Sequence, residues 1–263
     1  MVRGLNFNLM NFEFIHFEGM HVHTLKLNFT FAGRGDALYP VLLHQGAEWV
    51  LVDCGYAGFL PLLEDAARQQ GFSLRALTGV IVTHHDVDHL GGLAELKAAY
   101  PRVKVYASAT EEGYVSGRVK SLRLQQAEDL YPSLPGPQQP GALAFQEMLR
   151  QVRPVPVDHV FAGDEAPAFM PGIRIVPTRG HTPGHLSVYV PSRRLLVAAD
   201  ALVYEAGAFD IANPQYTLDL PAAVASVRKL RDLALDTVVC YHGGVAEGDI
   251  AGKLERLLAT YGG

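Results

Sequence analysis

The stretch that most constrains this chain is an apolar run that ends in a burst of metal-type ligands. Leu77-Thr78-Gly79-Val80-Ile81-Val82-Thr83 is apolar and rich in β-branched residues, the pattern of a buried strand. His84-His85-Asp86-Val87-Asp88-His89 follows at once, with three imidazoles and two carboxylates in six residues, before Leu90-Gly91-Gly92 gives way to a helical pattern. Burial of apolar surface does not account for so many titratable groups at a strand end. Neutral imidazoles and ionised carboxylates are what divalent ions of intermediate hardness bind, so the segment points to a metal.

Around it, strand-like and helix-like segments alternate. Phe12–Phe17 and His21–Leu27 partly alternate, as half-buried strands do, and Ala32–Asp36 reads as a turn or loop. Pro40–His44 and Trp49–Asp53 read as a hairpin joined by Gln45–Glu48, Gly58–Gly71 as a helix closed by its glycine, Gly92–Tyr100 as a helix stopped by Pro101, and Val103–Ala107 as a strand. Residues 110–152 interrupt this rhythm. Glu111–Leu130 predicts a helix, Tyr131–Pro137 a breaker cluster and Ala142–Val152 a second helix, together a helical cap inserted into the domain. Strands resume at Val157–Phe161, Ile173–Val176, Leu186–Val190 and Leu195–Ala198. Then come a helix at Pro221–Leu233, a strand at Thr237–Tyr241 and an amphipathic helix at Ile250–Tyr261. The order predicts a layered α/β protein, one domain over residues 1–263.

Composition narrows the function classes. A chain of 263 residues with 49% hydrophobic and 19% charged residues can bury a full core. A net charge of −5 argues against a nucleic-acid or anionic-membrane surface. Cys54 and Cys240 give no disulfide framework and predict reduced thiols in a cytoplasmic protein. Met1–Met10 lacks a sustained apolar stretch and no apolar run reaches the length of a span, so neither a signal peptide nor a membrane helix is expected. His21 and His23 share a strand face at a spacing a metal can use, but with no carboxylate nearby they read as ordinary surface or core histidines.

Three later stretches also carry polar groups at strand ends. They are Thr178-Arg179-Gly180-His181-Thr182-Pro183-Gly184-His185, then Asp200, then His242-Gly243-Gly244. A set spread from residue 84 to residue 242, each member at a strand end, suits a site built along one sheet edge. These elements, with Leu51-Val52-Asp53-Cys54-Gly55 upstream, resemble the metallo-β-lactamase fold superfamily. Its signature is H-x-H-x-D-H followed by a distant His, a bridging Asp and a final His. The resemblance covers nearly the whole chain and implies an αββα four-layer sandwich with two metals at the edge between the sheets. It puts His84 and His181 on the first metal, Asp88, His89 and His242 on the second, and Asp200 between the two. Asp53 would orient a ligand imidazole or simply end its strand, and His185 reads as structural.

Asp86 is the departure, since the family usually has His there. The carboxylate ligates the first metal, or His85 substitutes through a shift of the loop, or the first site is weak or empty. With Asp86, Asp88 and Asp200 ionised, two divalent ions and one hydroxide sum to zero, where His at position 86 would leave +1. A neutral cluster is the weaker Lewis acid, and the added oxygen ligand tilts preference from zinc toward manganese or iron.

Two metals roughly 3.5–4 Å apart can generate a hydroxide nucleophile and hold a developing oxyanion. The expectation is a metal-dependent hydrolase of a small ester, thioester or lactone acting through a metal-bound hydroxide. Zinc is the first choice, manganese or iron the others, and Asp88 would help orient the nucleophile. Tyr204 lies one residue from where a tyrosine assists the carbonyl in some lactonases of the superfamily. An iron-dependent oxygen-using enzyme and a phosphodiesterase are the alternatives. Glyoxalase II enzymes carry a C-terminal helical domain that binds glutathione, for which the 21 residues after His242 leave no room. The flavodoxin domain of flavodiiron reductases and the extra domain of nuclease branches are not evident. The expected partner is a small-molecule substrate, not nucleic acid or membrane, with a homodimer left open.

Overall fold

The computed structural model describes residues 19–31, 33–212 and 216–262. The strand expected at Phe12–Phe17 lies outside them. The chain opens with β1 (His21–Thr24), β2 (Leu27–Phe31), β3 (Arg34–Leu38), β4 (Val41–Gln45) and β5 (Glu48–Val52), followed by α1 (Leu60–Gln69) and β6 (Gly79–Ile81). Next come α2 (Val87–Leu90), α3 (Leu93–Ala99), β7 (Lys104–Ser108), α4 (Glu112–Val115), α5 (Leu122–Leu130), α6 (Gln139–Arg150) and β8 (His159–Phe161). The second half has β9 (Arg174–Pro177), β10 (Leu186–Val190), β11 (Leu195–Ala199), β12 (Val203–Glu205), β13 (Ala208–Asp210), α7 (Leu220–Arg231), β14 (Thr237–Cys240), β15 (Gly244–Glu247) and α8 (Ile250–Thr260).

Two sheets form the centre, one in the order β1-β4-β5-β6-β7-β8 and one in the order β15-β14-β11-β10-β9. The period-2 alternation of their strands sorts side chains into three apolar layers. Val41, Leu43, Val50, Val52 and Ile81 of the first sheet meet Ile175, Leu186, Val188, Val197 and Val239 of the second in one inner cluster. The opposite face of the first sheet (Leu42, Leu51, Val80, Val105) packs on Leu63 and Ala67 of α1 and Leu93 and Leu96 of α3. The opposite face of the second (Leu196, Ala198, Val238) packs on Val224, Val227 and Leu230 of α7 and Leu254 and Leu257 of α8. Three apolar layers separate four structural ones, an αββα sandwich. No helix among the described residues is long and apolar enough to cross a membrane.

Several sequence expectations change. The strand expected over His21–Leu27 divides, because β1 pairs with β4 while the chain from Leu27 pairs with β3 as a separate hairpin. Arg34–Leu38, expected within a loop for its first residues, is the second strand of that hairpin. The single helix expected over Glu111–Leu130 is two, α4 and α5. Between them Gly117 adopts φ +72 and the backbone runs so close to Pro154 that an added Cβ would lie 2.6 Å from its ring. Ser121 then starts α5 by accepting the Leu124 N–H. The short strands β12, β13 and β15 have too few residues for their alternation to register in the sequence.

Candidate metal centre

The carboxyl ends of β5, β6, β9, β11 and β14 all deliver side chains to one edge of the sandwich, the rule for ligand sites in open α/β sheets. Local backbone shapes aim them. Asp53 follows β5 at φ +60, a left-handed conformation that Asp tolerates and that turns its carboxylate toward the loop after β6. The β11–β14 register shifts between Val197 and Ala199, and Ala199 at φ +48 turns Asp200 into the site. Gly180 precedes His181 at φ +136, where an added Cβ would lie 2.2 Å from the Ala223 N.

Two groups of ligand-type residues result among the described residues: His84, His181 and Asp200, and Asp88, His89 and His242, each with ligand atoms within 4.8 Å of one another. Asp200 faces both. Its Oδ1 lies 3.2 Å from His89 Nε2 and 3.7 Å from His242 Nε2, and its Oδ2 lies 3.5 Å from His181 Nε2. Asp88 Oδ2 is 3.1 Å from His242 Nε2 and 3.6 Å from His89 Nε2. Asp86 stands beside the first group, with Oδ2 2.9 Å from His181 Nε2 and 3.6 Å from His84 Nε2. All seven predicted ligands therefore share one cluster.

Hydrogen bonds behind the cluster orient its imidazoles. Asp53 Oδ2 accepts from the Thr83 hydroxyl at 2.7 Å and from His89 Nδ1 at 2.8 Å. Because the Thr83 hydroxyl donates to Asp53, its oxygen accepts from His84 Nδ1 at 3.0 Å. Both Nε2 atoms are thereby turned toward the shared carboxylates. His84 Nε2, His89 Nε2, His181 Nδ1 and Asp200 Oδ1 are buried without a hydrogen-bond partner among the described residues. Buried polar atoms are rarely left this way, and three of these, His84 Nε2, His89 Nε2 and Asp200 Oδ1, meet in one cluster of imidazole and carboxylate that fits a divalent ion.

Electrostatics agree. Burial opposes charge on His89, but Asp200, Asp88 and Asp53 outweigh it and draw its pKa well above the ordinary value. His242 responds in the same way to Asp200 and Asp88, reaching about 9. Burial would raise Asp200, yet His89, His242 and His181 hold it well below the carboxylate range. A cluster with this balance attracts cations.

Other predicted residues fall elsewhere. His85 Nδ1 is bound to Glu111 Oε2, its ring stacks on Tyr114 at 4.4 Å, and it belongs to neither group. His185 is structural in its contacts. Its Nε2 accepts the Asp200 N–H at 3.1 Å and its Nδ1 donates to Thr178 Oγ1 at 2.9 Å, while burial lowers its pKa to about 3. His21 and His23 stack on β1 with centroids 6.4 Å apart and join no metal-type group among the described residues. Cys54 and Cys240 are buried free thiols. Tyr204 is a correction: on β12 its neighbours Val203 and Glu205 face the cleft, while its own ring packs with Phe209 against the α7–α8 side. The tyrosines that line the cleft are Tyr56 and Tyr216. Burial, with Asp88 and Asp36 nearby, keeps the Tyr56 phenol protonated far above its usual range.

Sequence reading missed Arg123, Glu111 and Tyr241. Buried Glu111 accepts from the His85 N–H at 3.0 Å, Thr182 Oγ1 at 2.8 Å and the Gly184 N–H at 2.8 Å, joining the two loops that carry His84 and His181. Tyr241 donates its hydroxyl to the Asp88 carbonyl at 2.8 Å and lays its ring 4.0 Å from His89. The cluster forms the floor of a cleft of about 810 Å³, whose walls include Tyr56, Val203, Ile211, Arg123 of α5, and Phe145 and Met148 of α6.

A four-layer αββα sandwich with a His/Asp cluster at the edge between its sheets defines the class, that of the metal-dependent hydrolases. The chain belongs to the metallo-β-lactamase superfamily, whose family model matches residues 36–242. It is 29% identical over 243 residues to the probable metallo-hydrolase YflN of Bacillus subtilis, covering 86% of this chain and 84% of that one. It is 43% identical to a hydroxyacylglutathione hydrolase of Tolumonas auensis, over 68 residues that span 26% of this chain and 24% of the relative. Among solved structures it resembles the metallo-β-lactamase family protein TTHA1429 of Thermus thermophilus, with a TM-score of 0.70 at 20% identity over 92% of this chain and 79% of that one. It also resembles the FIM-1 enzyme of Pseudomonas aeruginosa in its mono-zinc form, with a TM-score of 0.58 at 15% identity over 93% and 95%.

Proposed function

We propose that this enzyme is a binuclear hydrolase of a small ester, thioester or lactone. The observation that carries the reading is Asp200, whose two oxygens face the two ligand groups at the floor of the cleft. His84, Asp86 and His181 would hold one divalent ion, Asp88, His89 and His242 the other, and Asp200 both. Bound there, two such ions supply an acidified water and an electrophile for the carbonyl oxygen. Zinc is the first choice, given an imidazole-rich donor set, with manganese or iron favoured by the added carboxylate.

The chain's own residues supply the rest. Asp88, held through its backbone carbonyl by Tyr241, orients the attacking water and takes its proton. Tyr56, kept protonated, is a donor at the cleft wall. Phe145, Met148 and Ile211 offer apolar surface to an acyl or alkyl group and exclude water from it. The similarity to hydroxyacylglutathione hydrolases supports an acyl bond of the ester or thioester type.

Elemental analysis joined to a panel of chromogenic ester, thioester, lactone and phosphodiester substrates tests the reading. Near two metals per chain and chelator-sensitive turnover of an acyl substrate are expected. Turnover of phosphodiesters alone, or oxygen consumption by an iron-loaded protein, overturns it.

A further inference from the structure

Asp86 has a partner that its sequence neighbours do not reveal. Arg123, on α5 of the insert, donates Nε to Asp86 Oδ1 at 3.1 Å and Nη2 to Oδ2 at 2.7 Å. The guanidinium is 4% exposed, its Nη1 is held by Gln126 Oε1 at 2.6 Å, and its face lies 5.4 Å from the Tyr216 ring. This is a two-pronged, desolvated ion pair in which each carboxylate oxygen accepts one guanidinium N–H, while Oδ2 also faces His181 Nε2 at 2.9 Å.

The pairing changes the charge of the site. Asp86, Asp88 and Asp200 together carry −3, and Arg123 brings the set to −2. Two carboxylates with a neutral imidazole at position 86 would also carry −2. We propose that Arg123 is the charge partner of Asp86, so that the Asp86–Arg123 pair stands in for the neutral imidazole usual at this position and leaves the cluster no more anionic. Arg123 is thus a positioning residue that acts through Asp86, and the inference rests on the two-metal reading above. A second consequence is coupling: exchanging Asp86 for histidine alone leaves a buried guanidinium facing a cation site with no carboxylate between them, which is costly.

The test compares wild type, Arg123→Met, Arg123→Lys, Asp86→His and the double variant Asp86→His/Arg123→Met. Metal content is measured by elemental analysis, first-site affinity by competition with a chromogenic chelator using Zn²⁺ and Mn²⁺ as probes, and folding by circular dichroism. Removing a unit positive charge close to a divalent ion should tighten binding, so Arg123→Met is expected to gain about tenfold or more in first-site affinity. Arg123→Lys, which keeps the charge, should stay near wild type. Asp86→His should lose the first metal, and the double variant should regain it. A purely structural role for Arg123 would weaken binding, not tighten it. Unchanged or weaker affinity in a folded Arg123→Met, or a double variant no better than Asp86→His, overturns the charge-partner role while leaving two metals in wild type. One metal per chain in wild type overturns the two-metal reading and this inference with it.

Discussion

Asp53 Oδ2 accepts the ring N–H of His89 at 2.8 Å, and the same oxygen takes the Thr83 hydroxyl that in turn accepts from His84. One buried carboxylate thus orients an imidazole in each ligand group. Asp53→Asn keeps the size and the tolerance of a left-handed backbone but removes the charge. It should cost metal affinity by roughly 10–100-fold, the range for losing a carboxylate behind a ligand histidine. Chelator competition measures it, and an affinity within twofold of wild type would refute the orienting role.

Glu111 is the corresponding prediction for the fold. It accepts from two groups of His85, from Thr182 and from Gly184, so Glu111→Ala leaves several buried donors without an acceptor. The expected loss is roughly 3–5 kcal/mol, as for breaking one side of a buried charged network. Denaturant unfolding of the metal-free protein checks it, since metal binding then contributes nothing to the difference.

The apolar wall that Phe145 and Met148 of α6 present should set substrate choice without touching the metals. Truncating Phe145 and Met148 to alanine should lower kcat/KM for the best apolar acyl substrate about 10–200-fold while metal content stays at the wild-type level. Metal loss in these variants would show that Phe145 and Met148 support the centre and not the substrate.

The pH dependence of metal uptake follows from His242. Burial works against its charge, but Asp200 and Asp88 raise it from 6.5 to about 9. Without metal, the ion pair with Asp88 at 3.1 Å stabilises the fold fully below pH 6.5 and is lost as pH rises through about 9. A metal must displace that proton, so uptake should release protons below pH 9, and affinity should rise by up to about tenfold per pH unit for each ligand proton displaced, His242 contributing one until its ring is neutral. Calorimetry in buffers of different ionisation enthalpy reads the protons directly. Affinity that falls as pH rises from 6.5 to 9 would contradict this.

Much of the architecture was legible in the sequence because its signals are local. The β-branched runs at Val80–Val82 and Leu186–Val190, the glycine and proline stops, and the positions of His84, Asp88, His89, His181, Asp200 and His242 in the segments that follow strands all lie within short windows. Sequence distance from Asp200 says nothing about which face of a three-residue strand Tyr204 takes, and here its half-buried ring packs against the layer beneath α7 and α8 and away from the cleft.

The sequence by itself determined the layered α/β order and the ligand chemistry, since alternation and residue type are properties of neighbours along the chain, and the resemblance its motifs carry implied the sandwich. Tertiary structure alone decided what surrounds the departure at Asp86. Glu111, 26 positions beyond His85, engages that imidazole, and Arg123, 37 positions beyond Asp86, returns the charge that the carboxylate adds. Both pairings join elements distant along the chain, and electrostatic energy depends on separation in space, which only folding sets.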